Sequence, residues 1–156
     1  MAKVFAYGTL MCPDIFEKLT GMSPRAVVPG RVKNHRCLQV RGEVYPALIQ
    51  GHGGVVEGLV YTFPSYLWAI FDGFEGERYF KKPVTVHYNN GKRELVQAYL
   101  LRPECRRLLS RTAWDINTFI EKEKEDFMAA HFGEAEESGA GVMKPSFRVA
   151  RQKGDG

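Results

Sequence analysis

The feature that most limits what this chain can fold into is how often glycine and proline interrupt its β-rich runs between residues 25 and 101. Ala26-Val27-Val28 and Arg31-Val32 flank Pro29-Gly30, a pair that reads as a turn. Val55–Tyr61 is rich in strand-favouring residues, and Gly58 within it marks a bulge or the close approach of another backbone. Tyr79–His87 and Glu94–Leu101 flank Asn89-Asn90-Gly91. Asn-Gly between such runs is a strong hairpin signal, because both residues tolerate positive φ. Short strands broken this often predict a barrel or strongly curved sheet rather than alternating β-α units.

Three helices are expected around that sheet. Cys12-Pro13-Asp14 opens one that runs to about Leu19; Pro13 is tolerated in its first turn and Gly21 stops it. Ser65 is a good N-cap for a second over Tyr66–Phe74, with Leu67, Trp68, Ile70, Phe71 and Phe74 at helical spacing and Gly76 at its end. Arg102-Pro103-Glu104 ends the last strand. The third helix is expected from Asp115 to His131, with Ile116, Phe119, Ile120, Phe127 and Met128 on one side and the charges of Glu121–Asp126 facing solvent. From Glu134 onward Gly, Ser and charged residues dominate. Residues 1–133 are therefore expected to form the domain and 134–156 a mobile or loosely packed tail, with Met143–Val149 able to pack back.

Bulk properties exclude several functions. A chain of 156 residues, 44% hydrophobic and 26% charged, suits one soluble domain with a real core. Its net charge of +4 comes from Lys and Arg interleaved with Glu and Asp, which does not make a nucleic-acid face. Met1-Ala2-Lys3 leads straight into a strand, and no stretch reaches the roughly 18 apolar residues of a membrane span, so a cytoplasmic location is expected. Cys12, Cys37 and Cys105 form no Cys-x-x-Cys pair, and His35, His52, His87 and His131 form no i, i+4 pair. Neither a disulfide scaffold nor a zinc site is expected.

Two stretches have chemistry in them. Val4-Phe5-Ala6-Tyr7-Gly8-Thr9-Leu10 is a strand ending in Gly-Thr. Such an end exposes successive N–H groups with no side chain over the glycine, the makeup of a small anion cradle, although most such turns only turn the chain. Glu75 follows the apolar face of the second helix. The partial negative charge of a helix C-terminus and nearby aromatic burial both disfavour its ionised form, moving it towards the range useful for proton transfer. The plain alternative is a solvated C-terminal glutamate. Glu77, two residues on, is assigned no chemistry.

These stretches resemble the γ-glutamylcyclotransferase-like superfamily, and most closely its AIG2-like and γ-glutamylamine cyclotransferase branch. The matching residues are Val4 to Leu10 with Tyr-Gly-Thr-Leu, the block Asp72, Glu75, Gly76 and Tyr79, and between them Arg41-Gly42-Glu43-Val44-Tyr45-Pro46-Ala47. The resemblance spans residues 3 to 101, and a weaker similarity to plant AIG2-like proteins continues through Trp114-Asp115. It implies a small, mostly antiparallel β-barrel with flanking α-helices, an α+β fold. It implies a reaction that cyclises a γ-glutamyl group to 5-oxoproline, with Glu75 as general acid and base and no cofactor or metal. Tyr7, Gly8, Thr9, Leu10 and Tyr79 would hold the substrate, and the first helix would wall the pocket unless it simply closes a barrel end. Arg41 is a weaker candidate. Tyr-Gly-Thr-Leu stands where γ-glutamylcyclotransferases proper have Tyr-Gly-Ser-Asn, which leans the preference towards γ-glutamylamines. Two other classes stay open: a non-catalytic binding or signalling module of the same fold, and a transferase or hydrolase using Cys12 as nucleophile.

Overall fold

The structure, a computed structural model, describes residues 1–133. The tail expected over residues 134–156, including the segment Met143–Val149, lies outside the described residues. Six strands lie among the described residues: β1 (Ala2–Ala6), β2 (Ala26–Val40), β3 (Pro46–Phe63), β4 (Tyr79–Tyr88), β5 (Arg93–Leu101) and β6 (Leu109–Ala113). The first five close a ring. β1 pairs antiparallel with β3, β3 with β2, β2 with β4 and β4 with β5, and β5 returns to β1 in parallel at Val4 and Gln97. A second parallel contact, Leu48 with Leu100, brings the start of β3 against β5. β6 adds to the end of β2 through Leu38 and Val40. The expected mostly antiparallel barrel with flanking helices is the observed fold.

Strand alternation explains why the barrel has apolar residues on both sides. Phe5, Val32, Leu48, Val60, Val86 and Val96 fill its interior. Val4, Tyr61 and Phe63, their neighbours on the opposite faces, pack outwards against helices α1 (Pro13–Thr20) and α2 (Trp68–Glu75). Phe16 of α1 meets Tyr61 at 4.7 Å, and Phe63 meets Phe71 of α2 at 4.9 Å between ring centroids. Each of these rings is fully buried, and removing one to Ala would cost about 3–5 kcal/mol.

Several local expectations need correction. Pro29-Gly30 is not a turn, because β2 runs through it as one strand of 15 residues. Pro29 pairs with Leu59 of β3 but precedes the first β4 pairing at Gly30, so its missing N–H sits where β2 has a single neighbour. Gly30 is required by space, since a Cβ there would lie 2.5 Å from Val86 Cγ1. Gly58 does mark a close approach: its Cβ would meet the Ala6 carbonyl at 2.5 Å. Ser65 makes no capping bond, and instead begins a single tight turn, Ser65–Leu67, that leads into α2. The Asn-Gly hairpin forms, but only Gly91 takes positive φ, at 85°. Tyr88 accepts from Gly91 N–H at 3.1 Å and donates to the Lys92 carbonyl at 2.8 Å, a three-residue loop instead of a two-residue turn.

The last helix, expected from Asp115 to His131, spans residues 116–133 and is wound unevenly. It comprises α3 (Ile116–Thr118), wide turns over Phe119–Glu123, α4 (Lys124–Met128) and further wide turns over Ala129–Gly133. Asp115 caps its start by accepting from Thr118 N–H at 2.8 Å. Wide i→i+5 turns change the phase of the helix. Phe119 and Phe127 are buried as expected and Phe132 joins them, while Ile120, also expected on the apolar side, is 47% exposed. Within the charged run Lys124 is an exception, reaching Asp14 of α1 at 2.8 Å.

Candidate active site

The site begins where β1 runs out. Tyr7 is held by its own hydroxyl, which donates to the Tyr99 carbonyl at 2.6 Å. The chain then passes through Gly8 into a tight turn, Thr9–Met11. In that turn Met11 N–H donates to the Gly8 carbonyl at 2.9 Å and Cys12 N–H to the Thr9 carbonyl at 3.1 Å. Among the described residues the N–H groups of Gly8, Thr9 and Leu10 have no such acceptor. Three successive backbone donors therefore remain for a ligand, as at any helical turn whose first amides have no partner in the turn. Gly8 has to be glycine for packing reasons, because a Cβ would stand 2.9 Å from Pro46 Cγ. The turn is braced from below by Tyr61, whose hydroxyl donates to the Leu10 carbonyl at 2.5 Å.

Glu75 arrives from the other side. Leu67, Phe71 and Phe74 bury one face of the Ser65–Glu75 segment, which fixes its rotation and leaves Glu75 as the last residue of α2. Gly76 stops the helix with φ 81° and donates to the Asp72 carbonyl at 3.1 Å. That positive φ is open to glycine and strains other residues. Asp72, one turn before Glu75, is clamped outside the cavity. It accepts from the Tyr99 hydroxyl at 2.6 Å and lies 3.4 Å from Lys81, whose ammonium sits over the Trp68 ring.

One cavity of about 130 Å³ collects these groups. Tyr7, Gly8, Thr9, Leu10, Glu75 and Tyr79 all line it. Its other walls come from Tyr99, from the segment Gly42–Pro46, and from Phe127 and His131 of the C-terminal helical segment. Tyr79 donates to the Pro46 carbonyl at 3.0 Å, joining the wall at β4 to the start of β3. The Tyr7 phenol is held well above its ordinary pKa, first by burial, then by the nearby Tyr79 and Glu75. Tyr99 is raised too, by burial, then its bond to Asp72, with Glu75 contributing. Both phenols thus remain neutral beside the one carboxylate that the sequence singled out.

Not every candidate belongs here. Arg41 is exposed, lies outside the lining, and uses its backbone N–H on the Leu108 carbonyl. Cys12 is buried outside the cavity, and burial pushes its thiol up despite the pull of Lys124, which does not suit a nucleophile. Helix α1 does not wall the cavity; it closes the aromatic core beside it. Glu77 is exposed and contributes its carbonyl to Arg102. Sequence reasoning missed Tyr99, His131 and the Glu43–Tyr45 wall. Tyr99 lies inside an ordinary β-run and has no local signal, whereas His131 follows Phe127 of the expected apolar side by four residues, the helical spacing that could have marked it. The Gly42–Pro46 wall did lie within a motif, read without a role. Among the described residues there is no group of His, Cys, Asp and Glu that could hold a metal, and no helix long and apolar enough to cross a membrane.

Known proteins share this architecture. Two solution structures of Arabidopsis thaliana proteins superpose with TM-scores of 0.62 and 0.64 at 19% and 21% identity, covering 86% and 90% of this chain and 91% and 85% of theirs. A structure described as gamma-glutamyl cyclotransferase has a TM-score of 0.55 at 18% identity, over 65% of this chain and 66% of that one. At these identities the likeness is one of fold. No curated protein sequence matches the chain. Residues 4–116 match the family described as "Gamma-glutamyl cyclotransferase, AIG2-like", a span that contains the end of β1, residues Gly8–Leu10 and Glu75. The chain therefore belongs to the γ-glutamyl cyclotransferase, AIG2-like family.

Proposed function

We propose that the protein cyclises a γ-glutamyl group to 5-oxoproline and releases an amine or amino acid, with Glu75 as general acid and base. The observation behind this reading is the placement of the Glu75 carboxylate and the partnerless Gly8–Leu10 amides on one small cavity. The amides receive the substrate's α-carboxylate. Glu75 takes a proton from the α-ammonium, and the freed amine attacks its own γ-carbonyl carbon. A new C–N bond closes the five-membered ring, Glu75 returns the proton to the departing nitrogen as the original amide C–N bond breaks, and the second proton of the ring nitrogen passes through Glu75 to the released amine. One carboxyl group serves both steps because the proton travels a short path within one pocket.

Nucleophile and electrophile are already tethered, so what the protein must do is hold the bent conformer. Well-oriented intramolecular attack is worth about 7–11 kcal/mol of barrier at its best. Rigid surroundings favour such holding, and here Tyr7, Tyr61 and Tyr79 each donate a hydroxyl to a backbone carbonyl around the site. No step calls on a metal or cofactor. Incubation with a panel of γ-glutamyl amides, scored for released 5-oxoproline, tests the proposal. Release from at least one of them supports it. Tight binding of γ-glutamyl compounds without release would instead point to a binding module.

A further inference from the structure

The cavity lining is graded in exposure. Phe5, Tyr7 and Tyr99 are buried and form a floor, whereas Glu43, Tyr45 and His131 are partly exposed and stand with Glu75 at the mouth. Volume decides which part of a substrate lies where. A cavity of roughly 150 Å³ accommodates benzene, and a γ-glutamyl unit has about nine heavy atoms, more than benzene. At about 130 Å³ this cavity is filled by the reacting unit alone. The departing group then has to leave through the partly exposed side of the cavity, where Glu43, Tyr45 and His131 line it.

We propose that Glu43–Tyr45 and His131 form the leaving-group subsite, and that the His131 ring selects departing amines by branching at the carbon next to nitrogen. The inference rests on the cyclotransferase reading of this cavity. Both walls are fixed. The His131 ring stacks on Phe127 at 4.2 Å and 26°, and its Nδ1 lies 2.9 Å from the Phe127 carbonyl. That carbonyl can only accept, so Nδ1 carries the hydrogen. His131 also belongs to the wide turns Ala129–Gly133, a kind of helical irregularity that recurs at functional sites. Opposite, the Val44 carbonyl accepts from Trp114 Nε1 at 2.7 Å, and the Tyr45 hydroxyl is 3.5 Å from Arg78 Nη1. A wall held this firmly discriminates by shape; one carbon in a closed apolar pocket is worth about 10–200-fold, and the low end applies at this half-exposed mouth. His131 lies beyond the residues 4–116 that define the family match, so the motifs of the catalytic end do not dictate it.

Two isomeric substrates isolate the effect: γ-glutamyl-n-butylamide, unbranched next to nitrogen, and γ-glutamyl-sec-butylamide, branched there. kcat/KM for 5-oxoproline release is measured for the parent, His131→Ala and His131→Phe, each checked for a parental melting transition. The parent should prefer the unbranched isomer by about tenfold or more. His131→Ala should shrink that ratio to within about threefold, and His131→Phe, which keeps a ring, should retain it. A parent without preference, or a His131→Ala variant with the parental ratio, overturns the assignment while leaving the cyclotransferase reading intact. A parent that releases 5-oxoproline from neither isomer nor any other γ-glutamyl amide overturns both.

Discussion

Tyr99→Phe removes one oxygen and probes how α2 is held. The Tyr99 hydroxyl donates to Asp72 at 2.6 Å, and Asp72 lies one helical turn before Glu75. A hydrogen bond to a charged group contributes about 1.5–3 kcal/mol when it is sheltered. The Asp72 side chain is 50% exposed, so water replaces much of what is lost, and about 1 kcal/mol of stability is the expected cost. For a domain of this size that lowers Tm by about 2–5 °C. Catalysis should suffer more than stability. Without the tether α2 can shift against β5, and a misplacement of about 1 Å can cost on the order of 100-fold. We expect kcat to fall about tenfold, with KM within about threefold. Asp72→Asn should do much the same, and the double variant little more, with a coupling of about 1 kcal/mol in a double-mutant cycle. Because burial keeps the Tyr99 phenol protonated, the loss should be flat from about pH 6 to 9. Additive effects, or a Tyr99→Phe enzyme with parental kcat, would refute the tether.

Gly8→Val should cost about 1–3 kcal/mol by overpacking, since its Cβ would press on Pro46 at 2.9 Å, and 5-oxoproline binding measured by calorimetry should weaken beyond what melting explains. Trp114→Phe loses the 2.7 Å bond that holds the Val44 carbonyl; KM for γ-glutamyl amides should rise about three- to tenfold while kcat holds, and a proportionate fall in kcat would contradict the role given to that wall. Burial pushes the Cys37 thiol up to about 12 from an ordinary value of 9.0, and Tyr61 is raised as well. The unfolded chain therefore loses these protons first, so stability should decline as pH rises from 9.0 towards about 12, and Cys37→Ala should flatten part of that slope in chemical denaturation.

Much of this architecture could be read from the chain because its signals are local. Gly21 and Gly76 stop helices and Gly91 turns a hairpin, each at positive φ. Gly58 admits the Ala6 carbonyl. The two stretches that the sequence singles out, Tyr7–Leu10 and Glu75, line one cavity. What was misread depended on neighbours distant in sequence. Pro29-Gly30 resembles a turn until β3 and β4 are placed beside it. Asp72 has no evident role until Tyr99, 27 residues later, bonds to it. β6 pairs through two short registers that leave no periodic trace. A 3.6-residue period places Ile120 in the core, but the widened turns do not keep that period and Ile120 is exposed.

The central claim is that one carboxylate moves the proton, and Glu75→Gln tests it most directly. The exchange keeps size and hydrogen bonding but removes the group that accepts and returns a proton. Turnover to 5-oxoproline should fall by about 10²–10⁴-fold. Affinity for 5-oxoproline should stay within a few-fold, because the Gly8–Leu10 amides receive the carboxylate. Glu77→Gln, exposed and outside the cavity, is the matched control and should retain parental turnover. Near-parental 5-oxoproline release by a folded Glu75→Gln protein would contradict the account.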